Sequence, residues 1–359
     1  MVLPPAQRKQ GKVEVNPLSG NFYDWIKTTG TKWWIDSAAP HDISGNISNG
    51  IAGVTTNPLL LCKSLYGQQE QWKTVFDITG YEKDEKIQAI IKKMVTYIAH
   101  CIYDSYKKSN GAMGYVCAQT NPQMPEDYEA MLKMAKKFHS WAPNIAVKLP
   151  GTAAGIRVME DCTKLGITTV VTTGFSVAQN VHVAERYRQA LKALKEKTDT
   201  PPGKCFSVIM IGRLDDYLRD VSQGNSSVSE NDIQHAGVAV AKKIYQIFQD
   251  NQYEAVLLAS GFRTEKQAME LLGGALHLSL SPDIAQKLNN HSGPYENRIN
   301  IPVKDDVIKR LSTINEFKKA YDIHGLAPQD FISYGALQRT LHQFEHEGWL
   351  KIGDFDFQK

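Results

Sequence analysis

A single lysine, Lys148, lies near the end of the apolar run NIAVKLP, which covers residues 144–150. Such a run normally carries Val or Ile at this position, because burying an ammonium group is costly unless it is paired or its pKa falls toward neutrality. A neutral amine can attack a ketone and form a Schiff base, a route to carbon–carbon bond cleavage without a metal. The run alone leaves a second interpretation open, in which the lysine extends past the strand end into solvent.

Other polar residues follow or end further apolar runs in the same way. They comprise a carboxylate, two amides, several hydroxyls and two guanidinium groups: Asp36, Thr56, Asn57, Gln119, Thr172, Arg213, Ser260 and Arg263. Each has a structural alternative, since a carboxylate can cap a helix, Asn57 before a proline suits a turn, and an arginine can pair with a surface carboxylate. If these run ends meet at one edge of a sheet, they can serve acid–base chemistry and anion binding around Lys148.

The apolar runs alternate with segments of helical periodicity, such as those that Thr152 and Ser176 can cap. We predict eight strands: WWIDS, IAGVTT, GYVCAQ, NIAVKL, ITTVVTT, CFSVIMI, AVLLAS and ALHLSL. Several are almost continuously hydrophobic, as strands buried on both faces of a parallel sheet must be. No G-x-G-x-x-G tract follows a strand, which disfavours an open dinucleotide-binding sheet. The pattern predicts an α/β protein with a (β/α)8 TIM barrel, whose site lies at the carboxyl ends of the strands.

Two segments exceed a minimal barrel. Residues 58–112, after the second strand, and residues 289–359, after the eighth, carry apolar positions at helical spacing. We therefore predict one domain over residues 1–359, with an N-terminal tail at 1–20, a helical insertion at 58–112 and a C-terminal helical extension at 289–359. A helix of that extension can lie over the barrel mouth.

Composition excludes several classes of protein. The chain has 359 residues, and its 41 basic and 38 acidic side chains give a net charge of +3. No basic block with interleaved aromatic residues suggests a nucleic-acid surface, and no apolar run is long enough to span a bilayer. The N-terminal residues lack the apolar region of a signal peptide. Five scattered cysteines without a CxxC pair predict free thiols in a reducing compartment, so we expect a cytoplasmic protein. Because the sequence has neither a basic block nor a membrane-spanning run, we expect it to bind neither nucleic acid nor membrane.

A metal site has little support. His342 and His346 are four residues apart on a predicted helix, which is the spacing of a metal-binding pair. There is no HExxH tract and no third ligand nearby in sequence, so we expect no metal. No serine lies in a G-x-S-x-G turn, which removes the case for a serine hydrolase.

The stretches WIDSA, GVTTNPLLL, VKLPGTAAGIR, GITTVVTTGFSVAQ, IGRLDD and ASGFR occur in this order. Together they resemble the transaldolase family, which includes the fructose-6-phosphate aldolases, over about residues 33–288. The long segment after TTNP is similar to the longer transaldolases. The resemblance implies a Schiff-base aldolase barrel without metal or cofactor, in a family whose members are commonly dimers or larger.

The resemblance also implies a role for each matching residue. Lys148 would form the Schiff base, Asp36 would take the proton of the C4 hydroxyl, and Thr172 would order a catalytic water. The matching residues that would bind substrate are Asn57 and Ser176 for the hydroxyls of a dihydroxyacetone unit, and Arg213, Arg263 and Ser260 for the phosphate.

Two residues depart from the family pattern. Gln119 stands where transaldolases carry a glutamate that shuttles protons during imine formation and hydrolysis, and the aldolase branch also has glutamine there. Met210 stands where the family has Phe or Tyr, and it supplies neither a ring nor a hydroxyl to hold a water. The ASGFR tract is also one residue longer than the usual ASFR, which predicts a displaced anion site around Arg263.

The sequence therefore predicts a transferase that moves a dihydroxyacetone unit from a ketose phosphate to an aldose phosphate through Lys148. Two alternatives stay open. The first is a fructose-6-phosphate aldolase-type lyase that releases free dihydroxyacetone, which Gln119 favours and the chain length and Met210 disfavour. The second is a non-catalytic sugar-phosphate-binding barrel, which the presence of both Lys148 and Asp36 disfavours. In each case the expected partner is a small sugar phosphate, and the expected assembly is a homodimer.

Overall fold

The structure, a computed structural model, describes residues 21–357 except 77–79, 82 and 196–200. Within these ranges, eight parallel strands close into a barrel in sequential order. The strands are β1 (Lys32–Asp36), β2 (Gly53–Thr55), β3 (Tyr115–Gln119), β4 (Ile145–Pro150), β5 (Thr169–Thr172), β6 (Cys205–Met210), β7 (Val256–Ser260) and β8 (His277–Leu280). The predicted (β/α)8 barrel is confirmed, and each strand lies within its predicted run except that β1 begins one residue earlier and β4 ends one residue later.

Helices surround the barrel and occupy both long segments. Those before and within the barrel are α1 (Phe22–Lys27), α2 (Pro40–Asn46), α3 (Pro58–Gly67), α4 (Gln69–Lys73), α5 (Lys83–Cys101), α6 (Tyr103–Lys108), α7 (Tyr128–His139), α8 (Ala153–Lys164), α9 (Val177–Lys195), α10 (Ile211–Val221), α11 (Glu230–Ile233), α12 (Ala236–Asp250) and α13 (Glu265–Met269). Those after β8 are α14 (Pro282–Asn289), α15 (Asp305–Leu311), α16 (Asn315–Tyr321), a 3-10 turn (Pro328–Asp330), α17 (Gly335–Phe344), a π-helix (Glu345–Trp349) and α18 (Leu350–Asp354).

Local capping explains where two of these helices begin. The Thr152 hydroxyl accepts a hydrogen bond from the backbone N–H of Gly155 at 3.1 Å, and the Ser176 hydroxyl accepts one from Gln179 at 3.1 Å. Each bond satisfies a backbone donor that the first helical turn leaves free. Both predicted helix starts are confirmed. Helix α8 ends as predicted before Gly166, whose φ of 73° suits a glycine.

Large side chains fill the amino-terminal half of the barrel. The Trp34 indole packs edge-on against Phe206 with ring centroids 4.9 Å apart, and its N–H donates to Nδ1 of His277 at 2.9 Å. Burial lowers the pKa of His277 to about 3, so the ring is neutral and its Nδ1 can accept. Because this end is packed with side chains, the barrel interior can open to a ligand only at the carboxyl ends of the strands.

The C-terminal extension crosses part of the barrel mouth. Its π-helix packs on α3, and the Gln123 amide in the loop after β3 donates to the Glu345 carboxylate at 3.0 Å. Gly348 makes this approach possible, since a β-carbon there would lie 2.6 Å from the backbone of both Pro58 and Leu59. A π-helix is a rare element that occurs frequently near functional sites.

Three further predictions concern membrane-spanning segments, the cysteines and the N-terminal tail. No helix in the described ranges is long and apolar enough to cross a membrane. The five cysteines are all free thiols, and four of them are buried. The predicted N-terminal tail at residues 1–20 lies outside the described residues.

The approach at Gly348 predicts a stability effect. Gly348→Ala should lower the free energy of unfolding by about 1–3 kcal/mol, because the backbone of α3 cannot yield easily to a new methyl group. Gly45→Ala in helix α2 is the matched control: no atom lies within 4 Å of its β-carbon position, and the change should stabilise by up to about 1 kcal/mol. Urea unfolding followed by circular dichroism measures both. Equal stabilities for the two variants would contradict the close packing.

Candidate active site

A cavity of about 150 Å³ lies at the carboxyl ends of the strands. Seven of the predicted site residues line it: Asp36, Asn57, Lys148, Met210, Arg213, Ser260 and Arg263. The structure thus brings together side chains from strands β1, β4, β6 and β7 and from the segments that follow β2, β6 and β7. A larger depression of about 400 Å³ lies elsewhere on the protein. The Glu270 carboxylate and the Arg298 guanidinium group that line it form an ion pair with each other at 2.6 Å.

Lys148 is buried at the floor of the cavity. Its side chain on β4 is 5% exposed, which excludes the interpretation of a lysine extending into solvent. The Nζ atom donates to the backbone carbonyl oxygen of Thr56 at 3.1 Å. Burial lowers the pKa of Lys148, while the nearby Cys117 and Asp36 act to raise it. The net direction is toward a neutral, nucleophilic amine.

The Asp36 carboxylate at the end of β1 is held by a chain of hydroxyls. The Thr55 hydroxyl donates to Oδ1 of Asp36 at 2.7 Å and also contacts the Ser279 hydroxyl. Since the Thr55 proton goes to the carboxylate, Ser279 must donate to Thr55. Burial raises the pKa of Asp36, and Lys148, the Thr55 bond and the two arginines each lower it. A fixed carboxylate of raised pKa is suited to taking up and returning a proton.

Sequence reasoning missed Thr55 and Ser279. Two signals were available: Thr55 belongs to the TTNP tract, and Ser279 is, with His277, one of two polar residues in the run ALHLSL.

Three predicted residues lie outside the cavity wall. Gln119 is the register partner of Lys148 on the neighbouring strand, and its Oε1 is buried without a hydrogen-bond partner among the described residues, as is the hydroxyl of Thr172. Buried polar atoms of this kind commonly bind an ordered water or a ligand. Ser176 is fully buried, and its hydroxyl is engaged with Gln179 at the start of α9. The structure therefore places Ser176 as a helix cap and not at the cavity.

Asn57 has a double role at the rim. Its side-chain oxygen accepts from the backbone N–H of Leu60 at 2.9 Å and caps α3. Because the oxygen is occupied, the amide nitrogen is the group that Asn57 can offer as a donor to a ligand in the cavity.

Two guanidinium groups lie at the mouth. Arg213 on α10 donates to the Gln343 side-chain oxygen at 2.5 Å and stacks on the Phe344 ring at 5.2 Å, so two residues of α17 hold it in place. Burial, followed by repulsion from Arg263, lowers the pKa of Arg213 to about 10.

Arg263 is anchored differently. It pairs with Asp216 through Nε at 2.9 Å and a terminal nitrogen at 2.7 Å. Arg213 makes no ion pair in the part of the chain that the structure describes, whereas Arg263 does. The extra glycine of ASGFR, Gly261, has a φ of 69°, and its carbonyl accepts from the N–H of Gly212 at 3.1 Å. This turn keeps Arg263 beside Arg213, and the pair is a candidate anion site, because forked guanidinium donors are suited to binding a phosphate or carboxylate.

The remaining candidates behave as surface groups. The rings of His342 and His346 stack with centroids 4.1 Å apart. No group of three or more potential metal-ligating side chains was found among the described residues.

The fold is thus that of a TIM-barrel protein in which a buried lysine, a carboxylate and two arginines line one cavity at the carboxyl ends of the strands. Residues 33–347 match the family model described as Transaldolase/Fructose-6-phosphate aldolase, and the chain belongs to this family. The resemblance in the six sequence stretches is confirmed.

Curated relatives carry the same name. The chain is 26% identical over 206 residues to a transaldolase of Thiobacillus denitrificans, covering 56% of this chain and 57% of that protein. It is 30% identical over 180 residues to transaldolase 1 of Streptomyces avermitilis, covering 47% and 45%. It is 24% identical over 271 residues to transaldolase 2 of Nostoc sp., covering 67% and 70%. The chain thus spans about half the length of the first two relatives.

The electrostatics of the site predict opposite effects of two substitutions. The pKa of Lys148 can be measured by reductive methylation with formaldehyde and cyanoborohydride at a series of pH values, with the modified peptide quantified by mass spectrometry. The midpoint of the methylation curve should lie below about 10.4, the pKa of an ordinary lysine. Asp36→Asn removes a negative charge that favours the ammonium form, so the midpoint should fall. Arg213→Met removes a positive charge, so it should rise. Shifts in the same direction would contradict the proposed charge arrangement.

Proposed function

We propose that the protein uses Lys148 to form a Schiff base with a ketose phosphate and transfers a three-carbon unit of the dihydroxyacetone type to an aldose phosphate. The observation that carries this proposal is the burial of Lys148, which lowers the pKa of the amine, in a small cavity that also holds Asp36. A binding module would have no use for a nucleophilic amine at such a cost of burial. Family membership supports the same chemistry.

The geometry supports a defined course of reaction. Arg213 and Arg263 bind the phosphate at the mouth, and the ketone reaches the floor of the cavity. The neutral amine of Lys148 adds to the carbonyl carbon, and loss of water gives an iminium ion. Asp36 takes the proton of the C4 hydroxyl, the C3–C4 bond breaks, and its electron pair moves to the iminium nitrogen to give an enamine. An aldose phosphate leaves, and the enamine then adds to an acceptor aldehyde with return of the proton. Water hydrolyses the resulting iminium ion, which releases the new ketose phosphate and the free amine of Lys148.

A second candidate is an aldolase that releases the free three-carbon ketone. Gln119, the register partner of Lys148, favours it because an amide cannot exchange protons as a glutamate does. In this case the enamine is protonated at carbon, and water hydrolyses the resulting iminium without an acceptor.

The free thiols of the chain support a cytoplasmic location for either candidate function.

Trapping with borohydride tests the Schiff base. Incubation with fructose 6-phosphate and borohydride should leave a reduced adduct on the peptide that contains Lys148. Lys148→Met should form no adduct and lose at least about 1,000-fold in activity, since it lacks the nucleophile. Arg263→Met is the control, because it should weaken the binding of fructose 6-phosphate and still allow an adduct with unphosphorylated dihydroxyacetone. The absence of an adduct with every ketone, together with unchanged activity of Lys148→Met, would refute the proposal.

An acceptor distinguishes the two candidates. If the protein is a transaldolase, cleavage of fructose 6-phosphate should proceed only when an aldose phosphate is added, and a new ketose phosphate should form. Release of free dihydroxyacetone at the same rate without acceptor would identify the aldolase. Chromatography of the sugar phosphates measures both products.

A further inference from the structure

The wall of the cavity is polar on one side and apolar on the other. Three consecutive strands around the barrel, β8, β1 and β2, contribute Ser279, Asp36 and Thr55. Three other consecutive strands, β5, β6 and β7, contribute Val170, Val208 and Leu258 to the same cavity. Deep in the cavity the strand side chains are thus polar on one side and aliphatic on the other, whereas Met210 and Ser260 line it nearer the mouth.

Lys148 on β4 lies next to the apolar side. Its register partner on β5 is Val170, and Val208 on β6 is the register partner of Leu258 on β7. One inward position further toward the mouth these three strands carry Thr172, Met210 and Ser260, of which only Thr172 and Ser260 are polar. Of these, Ser260 lines the cavity and Thr172 does not. On the β5 side of Lys148 the deep wall of the cavity is therefore made of aliphatic side chains.

A ketone bound at Lys148 has two substituents on its carbonyl carbon. The substituent in which the bond breaks must face Asp36, which takes the hydroxyl proton, and must continue toward Arg213 and Arg263, which bind the phosphate. The other substituent then faces Val170, Val208 and Leu258. A hydroxyl group on it would lose its hydrogen bonds with water and find no partner in that wall, whereas a methyl group would be in favourable contact.

We propose that the unit carried on Lys148 has a methyl group at this position, so that the enzyme acts on hydroxyacetone and on 1-deoxyketose phosphates in preference to dihydroxyacetone and ordinary ketose phosphates. This inference rests on the proposed function and narrows its substrate class. Val170, Val208 and Leu258 are the specificity-determining residues. The bond-forming carbon is the one that bears the hydroxyl group, so the electron and proton transfers are the same as those given above, and no further reactant is needed.

Paired trapping experiments test the preference. The protein is incubated separately with hydroxyacetone and with dihydroxyacetone in the presence of cyanoborohydride, and the two adducts on Lys148 differ in mass by one oxygen atom. Trapping efficiency is normalised to that of a free amine with the same ketones. We expect hydroxyacetone to be favoured by roughly 10- to 100-fold, which is the range that a hydrophobic pocket achieves against an added hydroxyl.

Isosteric substitutions locate the cause. Val170→Thr and Val208→Thr each add a hydroxyl to the wall with little change in shape, and each should reduce the preference by about tenfold. Val171→Thr is the matched control, because Val171 is the next residue on β5, is 2% exposed, and does not line the cavity. It should keep the preference of the unmodified protein. The ratio of the two adducts is measured within each variant, so a loss of folded protein does not alter it.

The outcomes are distinguishable. Adducts with both ketones at equal efficiency, or a preference for dihydroxyacetone, would overturn the inference about the methyl group and leave the Schiff base intact. No adduct on Lys148 with either ketone or with fructose 6-phosphate would overturn the proposed function and this inference together. If Val170→Thr and Val208→Thr both keep the preference for hydroxyacetone, the aliphatic wall is not its cause. That result would overturn the assignment of these residues as specificity-determining.

Discussion

The cost of burying the Lys148 amine is the constraint on which the rest of the site depends. A lysine on an internal barrel strand must either find compensation or lose its proton. Here the compensation is partial: one backbone carbonyl at 3.1 Å accepts from it, and Asp36 acts from across the cavity. Because the balance favours the neutral amine, the proposed function makes this side chain the nucleophile, at the end of the barrel where a ligand can enter.

The other elements of the site follow from this constraint. The proposed bond cleavage needs a fixed proton acceptor, and the hydroxyl chain from Ser279 through Thr55 fixes the Asp36 carboxylate. In the same proposal the phosphate stays at the mouth, where Arg213 and Arg263 lie. Arg213 is held there by Gln343 and Phe344 of the C-terminal extension, which links a segment far along the chain to the anion site.

Much of the fold was predictable because strands buried on both faces must be apolar, and eight such runs alternate with capped helices. The run ends also identified most of the cavity. Other parts of the site were harder to predict. Ser176 is predicted both as a helix cap and as a ligand-binding group; its hydroxyl contacts Gln179 at the start of α9, outside the cavity wall, and its binding role stays a prediction. The aliphatic wall could not be predicted, because residues 170 and 171 are both valine. Only the strand register, in which Val170 pairs with Lys148, shows that Val170 faces the barrel interior. The contact between Thr55 and Ser279 arises from barrel closure, and no local sequence signal predicts that these two hydroxyls meet.

The most direct measurement of the central claim is the origin of the carbonyl oxygen in the product. The cleavage or transfer reaction is run in water enriched in oxygen-18, and the product ketone is examined by mass spectrometry, with Lys148→Met as the control for spontaneous exchange. If an iminium forms at Lys148, its hydrolysis must place one solvent oxygen on the carbonyl carbon in every turnover. Carbon–carbon bond cleavage with full retention of the original carbonyl oxygen would contradict the Schiff base.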